Sequence, residues 1–513
     1  QDLASKPDND WQDLMFGPAL MQNYALSVKG GGKYSTYYNS VGYTNQDGVM
    51  KGTNYQRYTL QSKQDFKKGI FQAGTNVVLT YDQSNPLYSV IRGGMVGHTL
   101  QAIPTWEQYD ENRTGGYGGL YGDVVNLTHP LGMVDDNLMK RYSDNVKIFA
   151  NAYVSVELMK GLKYKLNLTP DFQFYRYNSY EGLFDFGLAK HDITAVTEQQ
   201  TRTRNILVEN LLTFDRTFGD HKVSALVGYT YQDSRYRYMQ GSGQGMPTGI
   251  TEIDAASQGL AVSGNSSRSV LTSILGRAFY SYKNRYLLTA TIRRDGSSKF
   301  GSNYRYGNFP SVSVGWNIAE EDFVKNSVSW LDQLKLRGGY GVLGNQEIDN
   351  YQYVSVVTTG INYPDGKSGL IQGAFPKTFA NPDIKWEETA MTNVGIDFMA
   401  LRNRLTLTAD WYVKNTKDIL LNVPIPISTG GANDPIRNAG KIRNQGFEFN
   451  LGWNESLNKD LSYGVSFLGT YNKNEVVEMG RIAGNYRWDD SWRNLYEQNV
   501  GRLSYRWFLV DSY

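Results

Sequence analysis

Two glycine-rich stretches carry residue types that could hold a phosphate group or act as a nucleophile. Residues 360–368 read GINYPDGKS, but the spacer between Gly360 and Gly366 is one residue longer than in a phosphate-binding loop, and no strand-to-helix pattern surrounds it. Ser297 and Ser298 lie in GSSKFG, which lacks the G-x-S-x-G spacing of a nucleophile elbow. Neither stretch therefore predicts phosphoryl or acyl transfer.

The acidic residues and histidines are not spaced for acid–base or metal chemistry. Adjacent carboxylates occur at 320–321, 387–388 and 489–490, but neighbouring residues of a strand point to opposite faces, whereas glycoside hydrolysis needs both acids in one cleft. The chain has no cysteine, and its four histidines are far apart without metal-ligand spacing: His98, His129, His191 and His221. We therefore expect no enzyme, no cofactor and no bound metal.

Composition instead favours the binding of polar ligands by a β-rich protein. The formal net charge is +2, from 52 basic and 50 acidic residues, so no bulk field attracts nucleic acid and we expect no such partner. Aromatic residues make up 13% of the chain. In connections that are also rich in amides and arginine, such rings can stack on sugars or peptide side chains while the polar groups form hydrogen bonds.

The elements that would position these residues are strands with one apolar and one polar face. In LKYKLNLTPDF, Leu162, Tyr164, Leu166 and Leu168 alternate with polar residues, and NRLTLTADWYVKN shows the same period of two. Tight turns at 159–163, 218–222, 282–286 and 401–405 alternate with long connections at roughly 85–143, 176–198, 238–266, 343–387 and 417–440. The chain is therefore predicted to be an all-β, antiparallel transmembrane barrel meander of about sixteen strands, with short periplasmic turns and long extracellular loops.

One connection on the short-turn side departs from this pattern. Residues 319–338 combine a strand end, a short acidic helical turn and the start of a new strand. We see no internal repeat, so the chain is predicted to be one continuous β domain after a lead-in of about twenty residues.

Five stretches, in order along nearly the whole chain, resemble the SusC/RagA family of TonB-linked outer-membrane transporters. They are residues 9–60, 287–324, 331–353, 381–421 and 437–453; the second contains RRDGSSKFGSNYRYGNFPSVSVGW. The resemblance implies a barrel of about 22 strands around a plug. Residues 1–20 would then be the lead-in from a missing plug, and residues 21–513 a partial barrel of about sixteen strands that lacks its C-terminal strands.

The resemblance also implies a function and a set of partners. It implies an outer-membrane protein that imports large nutrients, most often oligosaccharides and in some members oligopeptides. A SusD-like surface lipoprotein would close over the barrel, and the TonB–ExbB–ExbD complex would supply energy through the missing N-terminal part. Two alternatives remain open: a TonB-dependent receptor for a metal chelate, and a secreted glycan-binding or adhesive β protein.

The stretch DGSSKFGSNYRYGN is predicted to cross the outer rim of this barrel. Counting turns places the YKNRY hairpin at the periplasmic end, so residues 295–308 should lie at the opposite end. We therefore predict that Tyr304, Arg305 and Tyr306 contact the ligand or the lid. The alternative is that these side chains only brace neighbouring loops.

Overall fold

The fold is built from long β-strands, as the period-two alternation predicts. A computed structural model describes residues 6–87, 94–120, 127–366, 369–423, 425 and 433–478. The strands in these residues are β1 (Met21–Gly31), β2 (Ser35–Asp47), β3 (Asn54–Lys68), β4 (Phe71–Asn85), β5 (Met139–Met159), β6 (Leu162–Glu181), β7 (Phe184–Asp185), β8 (Lys190–His191), β9 (Ala195–Phe218), β10 (His221–Gln244), β11 (Gln258–Tyr282), β12 (Tyr286–Ser297), β13 (Tyr306–Asn317), β14 (Leu331–Asn345), β15 (Val356–Pro364), β16 (Leu370–Thr378), β17 (Glu387–Ala400), β18 (Leu405–Lys417), β19 (Leu420–Asn422), β20 (Ile436–Asn438), β21 (Lys441–Ser456) and β22 (Ser462–Glu478).

Sixteen of the described strands form one sheet in the order in which they follow one another along the chain. The order is β1-β2-β3-β4-β5-β6-β9-β10-β11-β12-β13-β14-β17-β18-β21-β22, and the pairs β7–β8, β15–β16 and β19–β20 are separate hairpins within the connections. Adjacent strands such as β1 and β2, β12 and β13, and β21 and β22 are antiparallel. The predicted antiparallel meander of about sixteen strands is therefore confirmed.

Short and long connections alternate, as predicted. The short ones have two to five residues and lie at 32–34, 69–70, 160–161, 219–220, 283–285, 401–404 and 457–461, and the exception at this end is 318–330 with thirteen residues. The connection at 318–330 contains the expected helical turn, formed by a 3-10 turn (Ile318–Glu320) and helix α3 (Asp322–Lys325). Helix α1 (Trp11–Met15) and helix α2 (Gly94–Gln101) precede β1 and β5. No helix in the described part of the chain is long and apolar enough to cross a membrane.

Several strands extend further than the sequence predicts. Strands β9, β10 and β11 contain 24, 24 and 25 residues, so the connections between β6, β9, β10 and β11 shrink to 182–194, 219–220 and 245–257. A membrane-crossing strand needs only about 9 to 11 residues. Near these strand ends the regular alternation of apolar and polar residues is lost, although the strand pairing continues.

Two compact units are distinguished by their internal contacts. The first comprises Gln1–Val156, Leu166–Val208 and Asp233–Arg268, and the second comprises Glu157–Lys165, Glu209–Gln232 and Ser269–Tyr513.

In the first unit, one face of the sheet carries exposed apolar side chains in a row across four strands. Leu26 pairs with Val41, Val41 with Leu60, and Leu60 with Leu79. The next row toward the long connections consists of tyrosines, whose neighbouring ring centroids are 6.5, 5.0 and 6.3 Å apart: Tyr24, Tyr43, Tyr58 and Tyr81. We call this face the exterior face, because a barrel turns its apolar band and aromatic girdle toward lipid.

The opposite, interior face of the first unit is polar and hydrogen-bonded. Tyr153 Oη donates to Asp65 Oδ1 at 2.6 Å, and Asn145 Nδ2 donates to Asp82 Oδ2 at 3.1 Å. A polar interior face opposite an apolar exterior face is the side-chain distribution of a transmembrane barrel wall.

The first unit also contains a hydrophobic core formed by α1, α2 and the connections near them. Trp11, Met15, Met95 and Trp106 are buried there with residues from the β4–β5 and β6–β9 connections. Lys51 N donates to Met15 O at 2.9 Å, which attaches α1 to the β2–β3 connection. This part of the predicted lead-in is thus packed at the end of the strands that carries the long connections.

The second unit repeats the two-faced pattern. Val312, Val314 and Trp316 are exposed on one face of β13. On the other face of the sheet, Arg337 joins two aspartates: Nη1 and Nη2 donate to the two oxygens of Asp410 at 2.6 Å each, and Nε donates to Asp397 Oδ2 at 3.2 Å. The second unit therefore also has an apolar exterior face and a polar interior face.

Candidate ligand-binding site

The connection 298–305 between β12 and β13 is held closed by its own backbone. Ser297 N donates to Arg305 O at 3.0 Å, and Tyr304 N donates to Gly301 O at 3.3 Å. The Ser298 side chain attaches the connection to β11, because its Oγ accepts a hydrogen bond from Val270 N at 2.8 Å. Ser297 and Ser298 therefore stabilise the backbone of this connection.

Phe300 attaches this connection to a small hydrophobic core. It is fully buried with Phe309, Ile348, Ile384 and Trp386. The ring of Trp386 lies 5.1 Å from that of Phe300 and 5.3 Å from that of Phe309. The indole N–H of Trp386 donates to Arg305 O at 3.2 Å. The 346–386 connection thereby fixes the backbone of Arg305, one of the three predicted contact residues.

The three predicted contact residues lie next to one another but face different surroundings. The side chains of Tyr304 and Arg305 are exposed on the connection. Tyr306 is the first residue of β13 and alternates with the exposed Val312, so it lies on the exterior face. Its ring is covered by Arg294, with 4.9 Å between the guanidinium carbon and the ring centroid. A Cβ at position 296 would collide with this ring, which explains the glycine there.

A polar pocket of about 360 Å³ opens in the second unit between the connections 346–386 and 418–440. Lys385 Nζ and Asp418 Oδ2 form an ion pair at 2.9 Å. Asn438 holds the pocket wall, since its Nδ2 donates to Lys385 O at 2.7 Å and to Asp418 O at 2.9 Å. Asp383 and Arg437 are exposed and also line the pocket, together with Phe379, Ala380, Asn381 and Pro435. An aromatic ring beside carboxylate, amide and guanidinium groups suits a polar ligand.

Sequence reasoning missed this pocket. Five of its lining residues come from NPDIK (381–385) and RNAG (437–440), which contributed to the family resemblance but are about fifty positions apart. The available signal was the polar composition of two long connections that follow each other on the same end of the sheet.

The other groups first considered for chemistry have structural roles. Glu321 accepts a hydrogen bond from Trp316 Nε1 at 3.0 Å and pairs with Arg285 at 3.2 Å. Glu388 pairs with Lys417 at 2.9 Å. Residues 360–366 form the end of β15 and the turn after it, whereas residues 367–368 and the carboxylates at 489–490 lie outside the described residues.

Two histidines are packing residues of the first unit. The His129 ring lies 5.1 Å from the Trp11 ring and 4.8 Å from the Trp106 ring. Burial lowers the pKa of His129 from 6.5 to about 4, so the ring is neutral at physiological pH. Gly132 N donates to His129 Nδ1 at 3.2 Å, and His129 Nε2 faces Glu107 O at 3.2 Å. Burial also lowers the pKa of His98.

Similarity to known proteins agrees with this architecture. A family model described as TonB dependent receptor-like, beta-barrel matches residues 97–510. TonB-dependent receptor P39 of Formosa agariphila is 31% identical over 509 residues, covering 97% of this chain and 47% of that protein. TonB-dependent receptor SusC of Bacteroides thetaiotaomicron is 29% identical over 504 residues, covering 92% of this chain and 48% of SusC.

A solved structure has the same fold. The RagAB peptide importer in its closed-closed state matches with a TM-score of 0.82 at 23% identity, covering 96% of this chain and 54% of that chain. The chain spans about half the length of the curated relatives it matches. The predicted SusC/RagA-type barrel and its outer-membrane location are confirmed. The chain belongs to the TonB-dependent receptor-like β-barrel family.

Proposed function

We propose that the full-length protein imports oligosaccharides across the outer membrane in a TonB-dependent manner, with a SusD-like lipoprotein as its lid. Family membership supports the transporter class. The observation that carries the ligand class is the polar pocket between the connections 346–386 and 418–440, in which Phe379 lies beside Asp383, Lys385 and Arg437. A ring can stack on a sugar face while the charged groups accept and donate hydrogen bonds to hydroxyls.

The loop residues Tyr304 and Arg305 are proposed contacts for the lid or the ligand. Both side chains are exposed, while their backbone is fixed by the buried Phe300 and by Trp386. A rigid loop with free aromatic and guanidinium side chains loses little conformational entropy on binding. Tyr306, whose ring packs against Arg294 on the exterior face, is assigned instead to bracing the loop.

Two other ligand classes share the barrel. Oligopeptides remain the second candidate, because the RagAB structure is that of a peptide importer and ion-pairing groups such as Asp383 and Arg437 also suit peptide termini. A metal chelate is a third. The remaining alternative, a secreted glycan-binding or adhesive β protein, is not favoured, because the chain matches the family of TonB-dependent receptor-like β-barrels.

A growth experiment separates these classes. The gene for the full-length protein is deleted, and growth is compared on single oligosaccharides, on peptides and under iron limitation. Loss of growth on one oligosaccharide is expected, and loss confined to peptides or to chelated iron would reject the proposed ligand class.

Complementation then tests the pocket. The D383N/R437Q variant should restore growth at least about tenfold less efficiently at limiting ligand, since two charge-assisted hydrogen bonds are removed. The matched control is D220N, which changes an exposed aspartate in the 219–220 turn at the other end of the strands. Equal complementation by D383N/R437Q and D220N would reject the pocket as the binding site.

A further inference from the structure

The first unit carries a group of arginines on the exterior face, just beyond the tyrosine row. We define the arginine row as Arg176, Arg202, Arg204, Arg235 and Arg268. It lies on four strands, β6, β9, β10 and β11, and no local sequence pattern joins its members. The proposed import function makes no use of these side chains.

The β4–β5 register and one hydrogen bond place Arg176 relative to the apolar band. Leu79 pairs with Ile148, and in the next row Tyr81 pairs with Val146. Asp144 is one further step along the same face of β5, toward the long connection, and its carboxylate accepts a hydrogen bond from Arg176 Nε at 2.8 Å. At β4 to β6, the exterior face therefore changes from aliphatic residues to Tyr81 and then to Arg176 toward the long connections.

Contacts with exposed rings place the row on the exterior face. On β6, Phe174 alternates with the exposed Leu166 and Leu168, and all three side chains are about 40% exposed. Arg202 lies over the Phe174 ring, 5.5 Å from its centroid. Arg204, two residues further along β9, points to the same face.

Asp233 is the centre of the row. Arg268 Nε and Nη2 donate to its two oxygens at 3.1 and 3.0 Å, and Arg235 Nε and Nη2 donate to them at 3.3 and 3.2 Å. Arg204 Nη2 lies 3.7 Å away from the same carboxylate. Three guanidinium groups thus share one buried carboxylate, which cannot neutralise them.

Arg204 and Arg235 keep exposed guanidinium groups after these contacts. About half of the Arg235 and Arg268 side chains and a third of the Arg204 side chain are exposed, against 9% for Asp233. Within the described residues, the buried Nε of Arg204 has no hydrogen-bond partner. Among the described residues, the carboxylates that contact or lie near these five guanidinium groups are Asp233, Asp144 and Glu198.

We propose that the arginine row binds the phosphorylated headgroups of lipids in the outer leaflet. The planar guanidinium fork matches phosphate oxygens in a bidentate manner and is weakly hydrated, which suits a site at the edge of a membrane. The tyrosine row below would lie at the boundary between acyl chains and headgroups. The occupant is identified by this charge complementarity and by the position of the row directly above the lipid-facing band.

The test measures lipid binding by the full-length receptor in detergent. Native mass spectrometry follows titration with diphosphorylated lipid A, with the same lipid lacking both phosphates, and with inorganic phosphate. We expect the wild type to bind the diphosphorylated lipid at least about tenfold more tightly than either of the other probes. Equal binding of the dephosphorylated lipid would overturn the proposal, and equal binding of inorganic phosphate would make this a site for free anions.

Substitutions locate the effect. R204Q/R235Q should weaken binding of the diphosphorylated lipid about tenfold or more. R216Q is the matched control, because Arg216 lies on the same face of β9 but beside Phe218 at the short-turn end, and it should change binding less than about twofold. Should R204Q/R235Q lose the heat-modifiable mobility of a folded barrel, the single R235Q variant, whose side chain is half exposed, replaces it. Wild-type affinity in a folded variant would refute the site.

Discussion

Replacing Arg337 with methionine should destabilise the barrel wall by leaving two carboxylates facing each other. Arg337 on β14 donates to both oxygens of Asp410 on β18 and to Asp397 on β17, so it joins three adjacent strands. A Cβ at Gly395, between the two aspartates, would collide with Asp410 and with the guanidinium group. The three charged groups therefore pack directly over the backbone of Gly395.

The magnitude follows from the burial of this triad. Breaking a fully buried ion pair costs about 3 to 5 kcal/mol because the remaining charge is uncompensated. The three side chains are about one quarter exposed, so solvent screening reduces the effect. We expect R337M to lower the free energy of unfolding by about 2 to 3 kcal/mol.

The assay is urea unfolding of the full-length protein in detergent, followed by heat-modifiable electrophoretic mobility. R337M/D397N/D410N should recover about half of the loss, because the repulsion between the carboxylates is removed. R277M, which changes an exposed arginine on the interior face of β11, should have an effect below about 0.5 kcal/mol. An R337M loss no larger than that of R277M, or no recovery in the triple variant, would refute this electrostatic account.

Three further changes test other parts of the structure. W386F keeps the ring packing but removes the hydrogen bond to Arg305 O, so it should destabilise the 298–305 connection by about 1 kcal/mol, seen as faster hydrogen exchange there with the β21–β22 hairpin unchanged. Because the pKa of His129 is lowered in the folded protein, the unfolded segment binds a proton between pH 6.5 and about 4 that the folded segment does not bind. The free energy of unfolding of the surrounding core should therefore fall by on the order of 3 kcal/mol over this pH range. H129F should remove this pH dependence in limited proteolysis, and a pH dependence that persists in H129F would contradict the assignment. G296V should displace the Tyr306 ring from Arg294 and cost about 1 to 3 kcal/mol, whereas G276A, where an added Cβ makes an ordinary contact with Ile292, should cost about 1 kcal/mol or less.

Alternation along each strand made the sheet predictable from sequence. Leu166 and Leu168 are exposed toward the exterior while the intervening Asn167 is buried, as the pattern of LKYKLNLTPDF predicts. The ends of β9, β10 and β11 were not predictable from the sequence. Apolar and polar residues no longer alternate regularly there, and the strands continue through backbone hydrogen bonds to their neighbours.

Features that combine residues from distant connections were also not predictable from the sequence. The core around Trp11 and Trp106 joins side chains that are about a hundred residues apart without any shared period. The polar pocket likewise depends on Asn438 holding the backbone of Lys385. In contrast, the position of Tyr304 and Arg305 at the long-connection end followed from counting turns, because each strand of a meander reverses direction.

The length of β9, β10 and β11 has a consequence for how the protein stands on the cell surface. Strands of 24 or 25 residues contain more than twice the about 9 to 11 residues that cross a membrane. The rest of each strand therefore continues as hydrogen-bonded sheet beyond the apolar band. Antibodies against residues 245–257, which connect the outer ends of β10 and β11, should therefore bind the surface of intact cells.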